Sequence, residues 1–162
     1  AQTLSKNLAT GGKISSLMFG IQWDLTCKFL EEKTSLTTTD IKSNSTSWGN
    51  YNNATINLAK GKYNTSPDSS SGTWTAVTSG AKNGKMLLTT GASEDTNKMN
   101  IYDFAGNECE WTLEQYTSNS SYPCAGRGGF YYDGGYNRPA SYHDYYSTSF
   151  SVYYIGFRPA LY

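Results

Sequence analysis

The chain has 162 residues, 13 basic and 13 acidic side chains, and only 16% charged residues in all. That length fits one domain with a single core; the balanced charge argues against a nucleic-acid footprint, and no apolar run approaches the ~20 residues that cross a bilayer as a helix. Its polar surface must come from Ser, Thr, Asn, Gly and Tyr, a palette common in secreted, cell-surface and virion proteins. The start, "AQTLSKNLATGG", has neither a methionine nor a recognisable signal peptide and reads as a piece of something longer.

Residues 1–9 have the character of a helix tail ended by Gly11-Gly12. The strongest helical pattern follows in "SSLMFGIQWDLTCKFLEEKT", where Phe19, Trp23, Cys27 and Leu30 fall on one face. It predicts a helix over about residues 17–32, with Ser16 as a possible cap and Gly20 as a weak first turn. From 34 to 84 the chain is poor in aliphatic residues and rich in turn formers. It reads as a long polar surface excursion with short strands and little core, pinned at intervals by Trp48, Tyr51, Ile56, Leu58 and Trp74. "MLLTTGAS" is a short apolar run before a turn. "NIYDFAGNECEWTLEQY" predicts a turn at Ala105-Gly106-Asn107 and then a strand alternating Cys109, Trp111 and Leu113 with polar residues.

Cys27, Cys109 and Cys124 are an odd number and fit no zinc spacing. They read as small buried apolar residues, with a Cys109–Cys124 bridge as the alternative. The four N-x-S/T triplets at Asn44, Asn53, Asn64 and Asn119 are expected by chance in so Asn-, Ser- and Thr-rich a chain.

The end of the chain differs from the rest. Residues 127–162 contain no Lys, Glu, Gln, Met or Trp, yet hold all three arginines, Arg127, Arg138 and Arg158. Binding-surface chemistry accounts for part of this: Tyr gives rigid amphipathic contact area, and Ser, Gly and Asn give adaptable hydrogen bonds. It does not account for missing Trp and Met, which binding surfaces favour. A genetic route accounts for all five. If only the adenines of an Asn codon change, Lys, Glu, Gln, Met and Trp cannot be reached, whereas "FYYD", "YHDYYS" and "FSVYY" draw only on residues that can. The pairs Tyr131-Tyr132, Tyr145-Tyr146 and Tyr153-Tyr154 also speak against pure core filling, since strand neighbours face opposite sides.

Three blocks, "YDFAGNECEWTLE", "RGGF" and "IGFRPALY", together resemble the signature of the formylglycine-generating-enzyme-like domain, whose fold is of the C-type-lectin type. "FGIQWDLTCKFLEEK" resembles that family's central helix. More closely, "RGGF", "PAS" and "IGFRPALY" resemble the variable proteins of diversity-generating retroelements, in which adenine-directed mutagenesis rewrites a surface near the C-terminus. The resemblance implies an α+β, C-type-lectin-like fold spanning 1–162 as a single domain, with small antiparallel sheets, one main helix and much irregular loop. It implies a framework of Trp23, Gly106, Asn107, Glu110, Trp111, Arg127, Gly128, Gly129, Gly156, Phe157 and Arg158.

The expected ligand-binding residues are Phe130, Tyr131, Tyr132, Asp133, Tyr136, Asn137, Tyr142, His143, Asp144, Tyr145, Tyr146, Ser147, Phe150, Ser151, Val152, Tyr153 and Tyr154. His143, the only histidine, with Asp133 and Asp144, makes a poor metal or catalytic set and reads as a binding-surface residue. Glu108, Glu110 and Glu114 read as structural, because 108 and 110 point the same way on a strand, unlike a carboxylate pair flanking a cleft. The family's copper-binding cysteines after RGG are missing from "FYYDGGYNR", and the calcium motifs of sugar-binding lectins are absent. The expectation is therefore a binding protein and not an enzyme, with no cofactor or metal. Its partner would be a protein or glycan on another cell, and its place a phage tail tip or a bacterial surface.

Overall fold

The computed structural model describes residues 1–66, 72–82, 84–115 and 120–162. In chain order its elements are helix α1 (Gln2–Lys6), strand β1 (Ser15–Leu17), helix α2 (Gly20–Lys33), helix α3 (Thr38–Lys42), and strands β2 (Ile56–Leu58), β3 (Lys62–Asn64), β4 (Thr75–Ala76), β5 (Gly80–Lys82), β6 (Leu87–Leu88), β7 (Asn97–Lys98), β8 (Ile101–Tyr102), β9 (Cys109–Gln115), β10 (Cys124–Arg127), β11 (His143–Tyr146), β12 (Ile155–Phe157) and β13 (Pro159–Leu161). The chain is thus α+β, with few helices and several small sheets. No helix among the described residues is long and apolar enough to cross a membrane.

The main helix starts later than its periodicity predicts. Ser15–Leu17 pairs antiparallel with Pro159–Leu161, so its backbone groups serve a ribbon that joins the two ends of the chain. Ser16 lies in that ribbon and caps nothing; the Gln22 side chain accepts from the Phe19 N–H at 2.8 Å instead. Trp23, Cys27 and Leu30 face the core, whereas Phe19, expected on the same face, is exposed. Trp23 stacks on Phe104 with ring centres 4.0 Å apart and donates from its indole to the Ala140 carbonyl at 2.9 Å. Gly20 is poor helix material, but a Cβ there would lie 2.8 Å from the Glu114 carboxylate, so the site requires it.

The central sheet has the order β11-β10-β9-β12. Strand β10 runs antiparallel to both β11 and β9, and β12 runs parallel to β9. In β9 Cys109 is buried and Trp111 and Leu113 are half-buried, but Glu110 and Thr112 are buried as well, so both faces of the strand are covered and the apolar/polar alternation does not sort inside from outside. The reason is ionic: Glu110 points inward to an arginine, as described below.

The segment from 34 to 84 is a surface excursion only in its later part, where residues 59–62, 73–76 and 78–81 are exposed; its residues 67–71 and 83 lie outside the described set. Leu36, Ile41, Trp48, Tyr51, Ala54, Ile56 and Leu58 all belong to the core cluster. Few aliphatic residues suffice because Trp48 and Tyr51 are large, and because polar side chains satisfy the backbone around them. Ser45 accepts from the Ala140 N–H at 2.9 Å and donates to the Asp40 carbonyl at 2.6 Å. Lys82 is fully buried beside Tyr51, donating to its carbonyl at 2.5 Å, and burial pulls its amine down to about 8. Trp74 alone of the five expected anchors is exposed.

All three cysteines are free. Cys124 sits opposite Gln115 on β9, at the far end of that strand from Cys109, so the strand register leaves no Cys109–Cys124 bridge. Burial pushes the Cys27 and Cys109 thiols up to about 12, whereas Cys124 is only half-buried.

Trp48→Ala should cost about 3–5 kcal/mol in urea unfolding, and Trp74→Ala within about 0.5 kcal/mol. Equal small losses would return the segment to the surface.

Candidate ligand-binding surface

The C-terminal segment is tied to the fold at both ends by arginines that meet carboxylates of β9. Arg158 grips Glu110 with two bonds, Nε to Oε2 at 3.0 Å and Nη2 to Oε1 at 2.8 Å, and Nη2 also donates to the Tyr102 carbonyl at 3.0 Å. This planar fork is geometry a lysine cannot reproduce. Arg127 donates from Nε to Glu114 at 2.6 Å and from Nη1 to the Ser141 carbonyl at 3.3 Å, and lies 3.3 Å from Asp24 of α2. It therefore joins sheet, helix and the following loop.

The Gly106-Asn107 turn is a third joint. Both residues have positive φ (73° and 63°), and a Cβ on Gly106 would run into the Asn50 backbone. The Asn107 Oδ1 accepts from the Asn50 amide at 2.8 Å and from the Leu88 N–H at 3.0 Å. Gly128 (φ 69°) lies against Trp23, and a Cβ on Gly129 would come within 2.6 Å of the Arg138 carbonyl.

Between these joints stand the expected binding residues. Phe130 stacks on Tyr154 with centres 4.4 Å apart and an interplanar angle of 19°, and lies parallel to Tyr132 at 6.3 Å. Tyr153 meets Tyr154 edge-on at 5.2 Å. Residues near 130 and near 153 thus form one aromatic platform. Tyr136 and Asn137 are exposed on the loop that Asn53 holds through the Gly135 N–H.

Two expected surface residues are inside. Tyr131 is 0% exposed and donates to the Ser66 carbonyl at 2.9 Å. Tyr146 is buried between Trp111, edge-on at 5.3 Å, and Phe150, stacked at 4.7 Å. Each tyrosine pair divides, the more exposed partners being Tyr132, Tyr145 and Tyr153; only Tyr145-Tyr146 does so by strand alternation, the other two pairs lying in turns.

Nor do the candidates share one face. Asp144 and Tyr146 lie on the Trp111 side of β11. His143 and Tyr145 lie on the other, His143 3.6 Å from Glu114 and Tyr145 edge-on to Tyr122 at 5.8 Å. Ser147 lies 3.3 Å from Ser149, hydroxyl to hydroxyl; Phe150 and Val152 are half-buried and Ser151 exposed.

Two residues outside the expected set belong to this surface. Arg138 bridges Asp144 at 3.1 Å and Asp133 at 3.7 Å and lies over the Tyr142 ring at 5.0 Å, joining the 130s loop to β11. Lys85 places its ammonium 3.6 Å from the centre of the Tyr132 ring. Arg138 could have been found as the one arginine between the candidate residues Phe130 and Tyr154; nothing local marks Lys85. Burial raises the Asp133 carboxyl and the Tyr142 and Tyr154 phenols.

Two members of the acidic cluster brace the fold. Glu110 and Glu114 hold arginines. Among the described residues Glu108 makes no ion pair, and burial, then the neighbouring Glu110, pushes its carboxyl up to about 7. It borders a cavity of about 270 Å³ shared with Asp103, Glu110 and Arg158. Among the described residues no three His, Cys, Asp or Glu are grouped to hold a metal ion. No protein-family model matches the chain, and no curated protein or solved structure matches it.

Arg158→Leu leaves the Glu110 carboxylate buried without its partner and should cost about 3–5 kcal/mol in urea unfolding. Glu108 has a folded pKa above its ordinary 4.5, so it weakens the fold as pH rises from there to about 7, and by a constant amount beyond. Glu108→Gln should match the parent at pH 4 and exceed it by on the order of 2 kcal/mol at pH 8. A pH-independent difference would show that Glu108 is solvated.

Proposed function

We propose that this chain is a hypervariable ligand-binding domain of C-type-lectin-like fold, related to the variable proteins of diversity-generating retroelements. Adenine-directed mutagenesis would rewrite its C-terminal surface. The observation that carries this reading is the absence of Lys, Glu, Gln, Met and Trp from 127–162, five types that adenine changes in an Asn codon cannot reach. The placement of the three motif blocks supports it. GN-x-x-EW, RGG and GFR are far apart in sequence yet meet on β9, β10 and β12. Each supplies a joint, and the adenine-reachable residues lie between the joints.

The ligand would be a protein or glycan on another cell, held by aromatic faces and polar tips. The carrier would be a phage tail tip or a bacterial surface protein. Binding without catalysis fits the segment after RGG, where Phe130–Arg138 has no cysteine to hold copper. A fixed-sequence module for a protein or carbohydrate is the second reading. The burial of Tyr131 and Tyr146 favours it, because neither could vary freely without a cost to the core.

Deep sequencing of the encoding locus in its natural population separates the two. The first reading expects substitutions at codons 130, 132, 136, 137, 142–145 and 150–154, matching adenines in a nearby near-copy beside a reverse transcriptase gene. Positions 131 and 146 should vary least, and then among large side chains. An invariant segment with no near-copy refutes diversification and leaves a fixed site with one partner.

A further inference from the structure

Helix α2 is apolar on both sides. Its inner face is used by Trp23, Cys27 and Leu30, yet Ile21 is 66%, Leu25 59% and Phe29 40% exposed on the other. These three follow one another at four-residue spacing along about 12 Å of helix. Phe19 and Tyr162 extend the patch, both about half exposed, with the Tyr162 hydroxyl accepting from Gln22 at 3.0 Å. A contiguous apolar patch of this kind marks an interaction surface.

We infer that this face is the contact between two copies of the chain, related by a twofold axis through Leu25 with the α2 helices antiparallel. The pattern is its own complement about that point. Leu25 meets Leu25 of the partner copy, and each Ile21 meets a Phe29, so these three apolar side chains cover one another, with Phe19 and Tyr162 at the rim. Lys28 comes opposite Gln22 and Asp24 opposite Thr26, so no two like charges of the helix face each other across the pair. Lys28 is already neutralised within its own helix by Glu31 at 3.2 Å and Glu32 at 2.9 Å. The five exposed side chains offer on the order of 500 Å² per copy, hence roughly 1,000 Å² in all, the lower bound for a specific interface. Isologous contacts of this kind are the commonest route to dimers. The pair would carry two copies of the tyrosine-rich surface on one particle, which strengthens binding to a repeated ligand without any new contact.

Sedimentation velocity tests this at about 50 µM, a concentration that populates weak interfaces of small area. The parent protein should sediment at twice the 17.8 kDa of one chain, and Leu25→Lys at the single mass with an unchanged far-UV circular dichroism spectrum. Leu25→Cys, placed on the axis, should form a disulfide-linked pair on mild oxidation, while Lys13→Cys should not. A parent at the single mass, or Leu25→Lys at the double mass, overturns the proposal. Neither result depends on whether the C-terminal segment is diversified.

Discussion

The structure hangs on strand β9 and on the two carboxylates it offers to arginines from the end of the chain. Glu110 takes the fork of Arg158, and Glu114 takes Arg127, whose side chain is almost wholly buried. A buried ion pair seldom adds stability over a well-packed apolar pair, but losing one partner is severe, because the other charge stays inside. These pairs therefore act as specificity devices. They fix where β10 and β12 end, and so where the intervening chain must begin and finish. The parallel β9–β12 pairing depends on the same contact, since Gly156 and Phe157 of β12 immediately precede Arg158.

With its ends fixed, the chain from 128 to 157 alternates between core and surface: Tyr136, Asn137, His143, Tyr145, Ser151 and Tyr153 are exposed, while Gly128, Gly129, Tyr131, Pro139, Ala140 and Tyr146 are buried. Its buried residues are tied to the interior at several points: Tyr131 to the Ser66 carbonyl, Gly135 to Asn53 and the Ser45 N–H, Ala140 to the Trp23 indole and the Ser45 hydroxyl, and Tyr146 between Trp111 and Phe150. The other aromatic residues pack on one another more than on the core, as Phe130 does on Tyr154. Arg138 holds two parts of this surface together through Asp133 and Asp144. Such an arrangement lets exposed residues change at small cost to folding while the aromatic platform keeps its place.

What could be read from the sequence, and what could not, follows from the range of the forces involved. The buried stripe of α2 was legible because helix periodicity is local. Its start was not, because residues 15–17 pair with strand 159–161 at the other end of the chain. The polar composition of 34–84 concealed a core segment, since Trp48 and Tyr51 supply volume that an aliphatic count misses, and Asn50 and Ser45 spend their polar groups on backbone. At the candidate surface, residue type and pairing pointed to the tyrosines, and strand alternation accounts for the split of Tyr145-Tyr146, the other two pairs lying in turns. Which partner turned inward was decided by long-range contacts, Ser66 for Tyr131 and Trp111 for Tyr146. Lys85 over Tyr132 and the division of β11 between two faces were beyond reach for the same reason.

The central claim is that a framework braced by arginine–carboxylate pairs tolerates change in the surface it frames. The direct measurement is a protease-resistance sort of two displayed libraries with the same number of randomised codons. One varies Phe130, Tyr132, Tyr136, Asn137, Tyr145 and Tyr153. The other varies Glu110, Glu114, Arg127, Arg158, Tyr131 and Tyr146. The account predicts that most members of the first library stay folded and almost none of the second do. Equal survival of the two libraries would contradict it.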